Sequence, residues 1–131
     1  MQLNLKIRRL GDVLIVHCVG RIVYSDETAV FSRVVRQALQ HTREVVLDLK
    51  SVHGVDSAGL GELVLLHLWA TSQDKALRLV GSSQRLQELF ELTNLSSVMM
   101  MYSSLEEALQ SGQPLASSMP YASPTLDALD A

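Results

Sequence analysis

The chain has 131 residues, 47% hydrophobic and 19% charged, which suits one globular domain with a core of its own. A net charge of −3 gives no electrostatic reason to expect nucleic acid or an anionic membrane as partner. The single cysteine, Cys18, excludes an internal disulfide and fits a reducing cytoplasm, and no apolar run approaches a membrane span. The first residues alternate polar and apolar instead of running basic then apolar, so no signal peptide is expected.

Leu3, Leu5 and Ile7 alternate with Asn4, Lys6 and Arg8, the period-two pattern of a half-buried strand. Gly11 and Asp12 read as a turn, and Val13 to Val19 as a second strand pairing back on the first. His17 and Cys18 fall on its opposite faces; without further ligands at metal spacing, both are expected to pack. Gly20 to Tyr24 is expected to break the strand, before Ser25, Asp26 and Glu27 open a helix with a capping side chain and two acids. Val30, Phe31, Val34, Val35 and Ala38 recur at helical spacing as a core stripe, while Arg33, Arg36, Gln37 and Gln40 face outward.

Val45 to Leu49 is almost continuously apolar, as in a central strand covered on both faces. After a short loop comes a helix from Ser57 to about Ser72. Leu60, Leu63, Val64, Leu66, Leu68 and Trp69 make it apolar over much of its circumference, which predicts a well-packed helix with packing roles for Trp69 and His67. Ala76 to Val80 reads as a strand ended by Gly81, and Ser82 or Ser83 caps a helix bearing Leu86, Leu89 and Phe90. Val98 to Tyr102 is the last expected strand, with Met99, Met100 and Met101 as soft gap-fillers. Ser103 with Glu106, or Ser104 with Glu107, offers a capping box for a final helix to Leu109. Beyond it, all three prolines lie in a Ser/Ala-rich stretch without periodicity, so residues 1–111 are expected to form the domain and 112–131 a mobile tail. No internal repeat is evident. The order β-β-α-β-α-β-α-β-α, with right-handed crossovers, gives a largely parallel α/β sheet.

The most informative stretch runs from Asp48 to Gly61. A strand, a tight loop and a helix N-terminus offer free backbone N–H groups and the positive end of the helix dipole. Asp56 or Ser57 can cap the helix. Gly59 and Gly61 in its first turn each cost about 1 kcal/mol relative to Ala, so either something approaches the backbone closely there or the glycines of an ordinary capped helix pack against the sheet. Enzymatic readings are weak. Ser57 lacks a sequence-level base other than nearby His53, the Gly-x-Ser-x-Gly elbow is absent, and Gly59-Leu60-Gly61 is followed by no P-loop lysine. A hydrolase centred on Ser57 is therefore disfavoured, and no metal or cofactor is expected.

Asp56-Ser57-Ala58-Gly59-Leu60-Gly61, between the strand Val45–Leu49 and a leucine-rich helix, closely resembles the signature of STAS domains. Within that superfamily the likeness, from about Leu3 to Leu109, is to the bacterial anti-sigma factor antagonists. The resemblance implies a mixed, mainly parallel sheet with helices mainly on one face. It implies that the unphosphorylated domain binds a serine-kinase anti-sigma factor and so frees a sigma factor. The kinase, using its own ATP, would phosphorylate Ser57, and a metal-dependent serine phosphatase would restore the hydroxyl. Asp56, Ser57, Ala58, Gly59, Gly61, His53 and Val55 form the expected contact centre, flanked by Arg21 and Tyr24. Relatives commonly carry Gly-x-hydrophobic-Asp at Gly20, where this chain has Val23 in place of the acid. Other relatives use the domain as an interaction subunit of a signalling scaffold or transporter-associated complex, without the kinase switch. No nucleic acid or direct membrane insertion is expected, and a homodimer is left open.

Overall fold

The structure, a computed structural model, describes residues 3–81, 84–95, 99 and 101–111. The expected cap at Ser82 or Ser83, the tail at 112–131 and, within the expected last strand, Val98 and Met100 lie outside the described residues. Of that strand's described residues, only Met101–Tyr102 is paired with the sheet.

Two strands, β1 (Leu3–Leu10) and β2 (Val13–Ile22), form an antiparallel hairpin. Gly11 turns it with a φ of +62°, a conformation that costs a residue without Cβ nothing. Then come α1 (Asp26–His41), β3 (Glu44–Val55), α2 (Ser57–Ser72), β4 (Ala76–Val80), α3 (Gln84–Leu92), β5 (Met101–Tyr102) and α4 (Leu105–Ser111). The sheet order is β1-β2-β3-β4-β5, parallel from β2 onward.

Alternation along the strands divides the core into two layers. Val45, Leu47 and Leu49 of β3 face Phe31, Leu63 and Phe90 of α1, α2 and α3, while Val46 faces α4 with Ile15, Val80 and Ala108. Three helices therefore cover one face and α4 the other. Burial of each large apolar side chain contributes roughly 1.5–3 kcal/mol, so the larger layer dominates the stability of the fold.

The strands outrun their expected ends. β2 continues through Gly20 to Ile22, and β3 through the expected loop to Val55, because the two segments pair with each other: Arg21 opposes Gly54 and Ile22 opposes Val55. Register shifts lie between His17 and Val19 and between Gly20 and Arg21, and the φ of +125° at Gly20 lets β2 re-aim without ending. The apolar circumference of α2 is packed except along one arc. Gly59, Leu63, Leu66 and Ala70 are buried, and Leu60, Val64 and Trp69 pack partly buried against the core, whereas Leu65 and Leu68 remain 58% and 53% exposed among the described residues. Val30, expected in the core stripe of α1, is likewise exposed, while Thr28 and Ser32 are buried there.

His17 does more than pack. Its Nδ1 lies 2.8 Å from Asp48 Oδ2 on the α4 side of the sheet, and Asp48 Oδ1 accepts from the Lys50 N–H at 3.1 Å. This pairing gives a partner to a carboxylate that is otherwise almost fully withdrawn from water. On the opposite face Cys18 is buried in the main core, and burial, then the Asp48 carboxylate, push its thiol up to about 12. Because the thiolate is the reactive form, iodoacetamide at pH 8 should leave the folded protein unmodified while urea-unfolded chain reacts readily. Mass spectrometry reads the difference; equal labelling of both forms would show that β2 opens freely.

Candidate functional site

The site grows from the junction of β3 and α2. Asp56, in extended conformation, is the cap of α2: its Oδ1 accepts from the Gly59 N–H at 2.8 Å and its carbonyl from the Leu60 N–H at 2.8 Å. Its Oδ2 accepts from the Tyr24 N–H at 3.0 Å, and its own N–H donates to the Ile22 carbonyl at 3.4 Å. One carboxylate thus starts the helix and holds the loop between β2 and α1. The Gly59 N–H first, then the Tyr24 N–H, keep its carboxyl below the ordinary value of 3.8. A depressed native pKa means that this contribution is intact above the ordinary value and is lost as pH falls through the native one. Around neutrality Asp56 is an anion with both oxygens engaged.

The two glycines of the first turn have different reasons to be glycine. Gly59 is buried, and a Cβ built on it would lie 1.9 Å from the Ile22 carbonyl oxygen. What approaches its backbone is the protein's own β2. Gly61 is exposed, and a Cβ there would meet nothing within 4 Å.

Ser57 is the first residue of α2 and is exposed. Among the described residues its hydroxyl has no hydrogen-bond partner, and neither His53 nor Asp56 is bonded to it. The arrangement therefore shows no nucleophile–base pair of the kind acyl transfer requires. Among the described residues no cluster of His, Cys, Asp or Glu could hold a metal.

The remaining expected site residues surround this point. Ala58 is exposed beside Ser57, and Tyr24 is 87% exposed on the tethered loop. Arg21 lies across Gly54, where an added Cβ would come 3.2 Å from its Nε. His53, Gly54 and Val55, together with Leu86 and Leu89 of α3, line a cleft of about 280 Å³ next to the helix start. Val23 holds its loop through the backbone: its carbonyl accepts from Thr28 Oγ1 at 2.6 Å and Ser25 Oγ at 3.1 Å.

The family model of the STAS domain matches residues 4–108. The chain belongs to the STAS domain family. A curated relative, the anti-sigma-B factor antagonist of Staphylococcus aureus, is 38% identical over 58 residues, 44% of this chain and 54% of the relative. The match thus spans about half the length of that relative. Among solved structures, an anti-sigma factor antagonist from Mycobacterium paratuberculosis superposes with a TM-score of 0.74 at 18% identity, over 83% of this chain and 92% of that one. The Bacillus cell fate determinant SpoIIAA in its phosphorylated form gives 0.64 at 14% identity, over 82% and 98%. At those identities the likeness is one of fold.

Within this STAS domain the sequence offered Asp56 or Ser57 as the cap, and the structure puts it at Asp56. Of the two readings of the glycines, packing against the sheet holds for Gly59, although the Ile22 carbonyl as its contact was not visible in the sequence. Gly59→Ala should lower stability by about 1–3 kcal/mol through the clash with Ile22. Gly61→Ala should raise it by roughly 0.5–1 kcal/mol, as expected for an unobstructed helix position. Urea unfolding of the two variants separates them, and equal shifts would dismiss the Ile22 contact as a constraint.

Proposed function

We propose that this STAS domain is an anti-sigma factor antagonist. Its unphosphorylated form binds a serine-kinase anti-sigma factor and releases a sigma factor. The observation that carries the reading is Ser57: an exposed hydroxyl, unbonded among the described residues, at the first position of α2, beside the pinned Asp56 carboxylate. The similarity to the Staphylococcus aureus antagonist supports it, and the Bacillus protein of the same fold offers a precedent for a phosphorylated state.

The physical logic is a contest between two local effects. The kinase supplies ATP, the Ser57 oxygen attacks its γ-phosphorus, ADP leaves, and the serine proton passes to a base on the kinase. The product adds about −1.5 to −2 charge and three acceptor oxygens. At a helix N-terminus the dipole offsets an exposed anion by only 0.3–1 kcal/mol or so. Asp56, held ionised around neutrality, is a fixed negative charge on the adjacent residue. An interface shaped around a neutral hydroxyl would have to bury the new charge unpaired, at about 3–5 kcal/mol. At 1.4 kcal/mol per tenfold in affinity, that is roughly two to three orders of magnitude. The partner leaves, and the fold stays, because the Ser57 side chain is exposed and not part of the core. A serine phosphatase reverses the step. The role is regulatory, with no reaction catalysed by this chain.

Incubation with candidate anti-sigma kinases of the source organism and ATP, followed by mass spectrometry, tests this. Phosphate is expected on Ser57, absent in Ser57→Ala, with kinase affinity reduced at least about a hundredfold in the phosphorylated protein. Tight binding without phosphorylation would instead make the domain an interaction subunit of a larger assembly.

A further inference from the structure

The outer face of α2 carries no charge. Taking about 100° per residue, Ser57, Ala58, Gly61, Leu65, Leu68 and Ser72 fall within one arc of about 100°, and all six are exposed. The buried residues Gly59, Leu63, Leu66 and Ala70 lie on the opposite side. A helix on the surface of a globular domain ordinarily presents charged residues to water there, as α1 does with Arg33 and Arg36. In α2 the corresponding surface is hydroxyl, methyl, hydrogen and two half-exposed leucines.

Gly61 provides the second, independent observation. The fold does not require a glycine there, since an added Cβ would meet nothing, yet the residue weakens the first turn of the helix that presents Ser57. A backbone left bare toward open space, on the same arc as Ser57 and one turn from Leu65, is a place for a close approach from outside the chain.

We propose that the arc Ser57–Gly61–Leu65–Leu68 is one continuous docking surface for the anti-sigma partner. Ser57 is the phosphate-sensitive end and the two leucines are the apolar anchor. The inference rests on the function proposed above and extends the contact two turns along α2. Because any surface fitted over the Ser57 hydroxyl lies on this arc, it meets Gly61 at backbone distance and then the leucines. The partner is accordingly a protein with an apolar patch next to the pocket that admits the serine. Affinity resides mainly at the leucine end and control at the serine end.

The test uses the full chain and whichever candidate kinase binds it, by isothermal titration calorimetry. Leu65→Lys/Leu68→Lys and Gly61→Gln should each weaken binding by roughly tenfold or more, with thermal melting essentially unchanged or, for Gly61→Gln, raised. Gln37→Lys, on the outer face of α1, should bind as the unaltered chain does. Undiminished binding by the leucine and glycine variants would overturn the proposal while leaving Ser57 phosphorylation untouched. Sedimentation covers the other occupant: a dimer of the unaltered chain that the lysines dissolve, with unchanged partner affinity per monomer, would assign the face to a second copy and also overturn it. A chain that neither binds nor is phosphorylated by any candidate removes the functional reading itself, and this inference with it.

Discussion

Everything at the functional end of this domain depends on the Asp56 carboxylate having two backbone N–H groups to satisfy. One belongs to the helix it begins, at Gly59, and the other to Tyr24 in a loop 32 residues earlier in the chain. A Ser or Thr at this position could cap the helix, but one hydroxyl oxygen is poorly suited to span both donors. An ionised carboxylate accepts from both with charge-assisted hydrogen bonds, and both bonds favour the ionised form. The helix start and the adjacent loop are thereby fixed relative to each other. Ser57, the residue after Asp56, is held in place at the helix start without a hydrogen bond from its own hydroxyl to any described residue.

The close approach of α2 to β2 completes this arrangement. Gly59 lets the helix settle onto the Ile22 carbonyl, and Ile22 is available only because β2 continues past Gly20 alongside an equally extended β3. The two register shifts, each with an extra residue on β3, that keep β2 and β3 paired through this region are therefore part of the site. They convert what would have been two loops into a pair of strands that end together under the helix N-terminus. A rigid floor of this kind suits a surface read by a partner through a single hydroxyl.

Much of this architecture was legible in the chain. The order of elements, both ends of α2 and the capping role of Ser25 follow from periodicity and local capping chemistry, which act over a few residues. What escaped was set by pairing between distant segments. The late ends of β2 and β3 come from the register of Arg21 with Gly54 and Ile22 with Val55, which no local pattern encodes. The His17–Asp48 pair needs the same parallel alignment across 31 residues. The exposure of Leu65 and Leu68 escaped for another reason. An apolar residue announces a need for cover without saying whether its own chain supplies it.

Gly59 and Gly61 make that ambiguity concrete. In the sequence they are two equivalent marks in one motif, each a cost to the helix. In the structure they divide by what stands opposite: a carbonyl of the same chain in one case, open space in the other. A helix under selection for stability alone would keep the first glycine and replace the second. Its outer leucines would give way to charged residues as well, since at their observed exposure they contribute little to the core and invite association. Retaining a bare backbone and an uncharged arc on the side that presents Ser57 is intelligible if that side is covered for part of the molecule's life. Under the proposed switch, a phosphate added at one end of such a surface would decide whether the rest of it is buried.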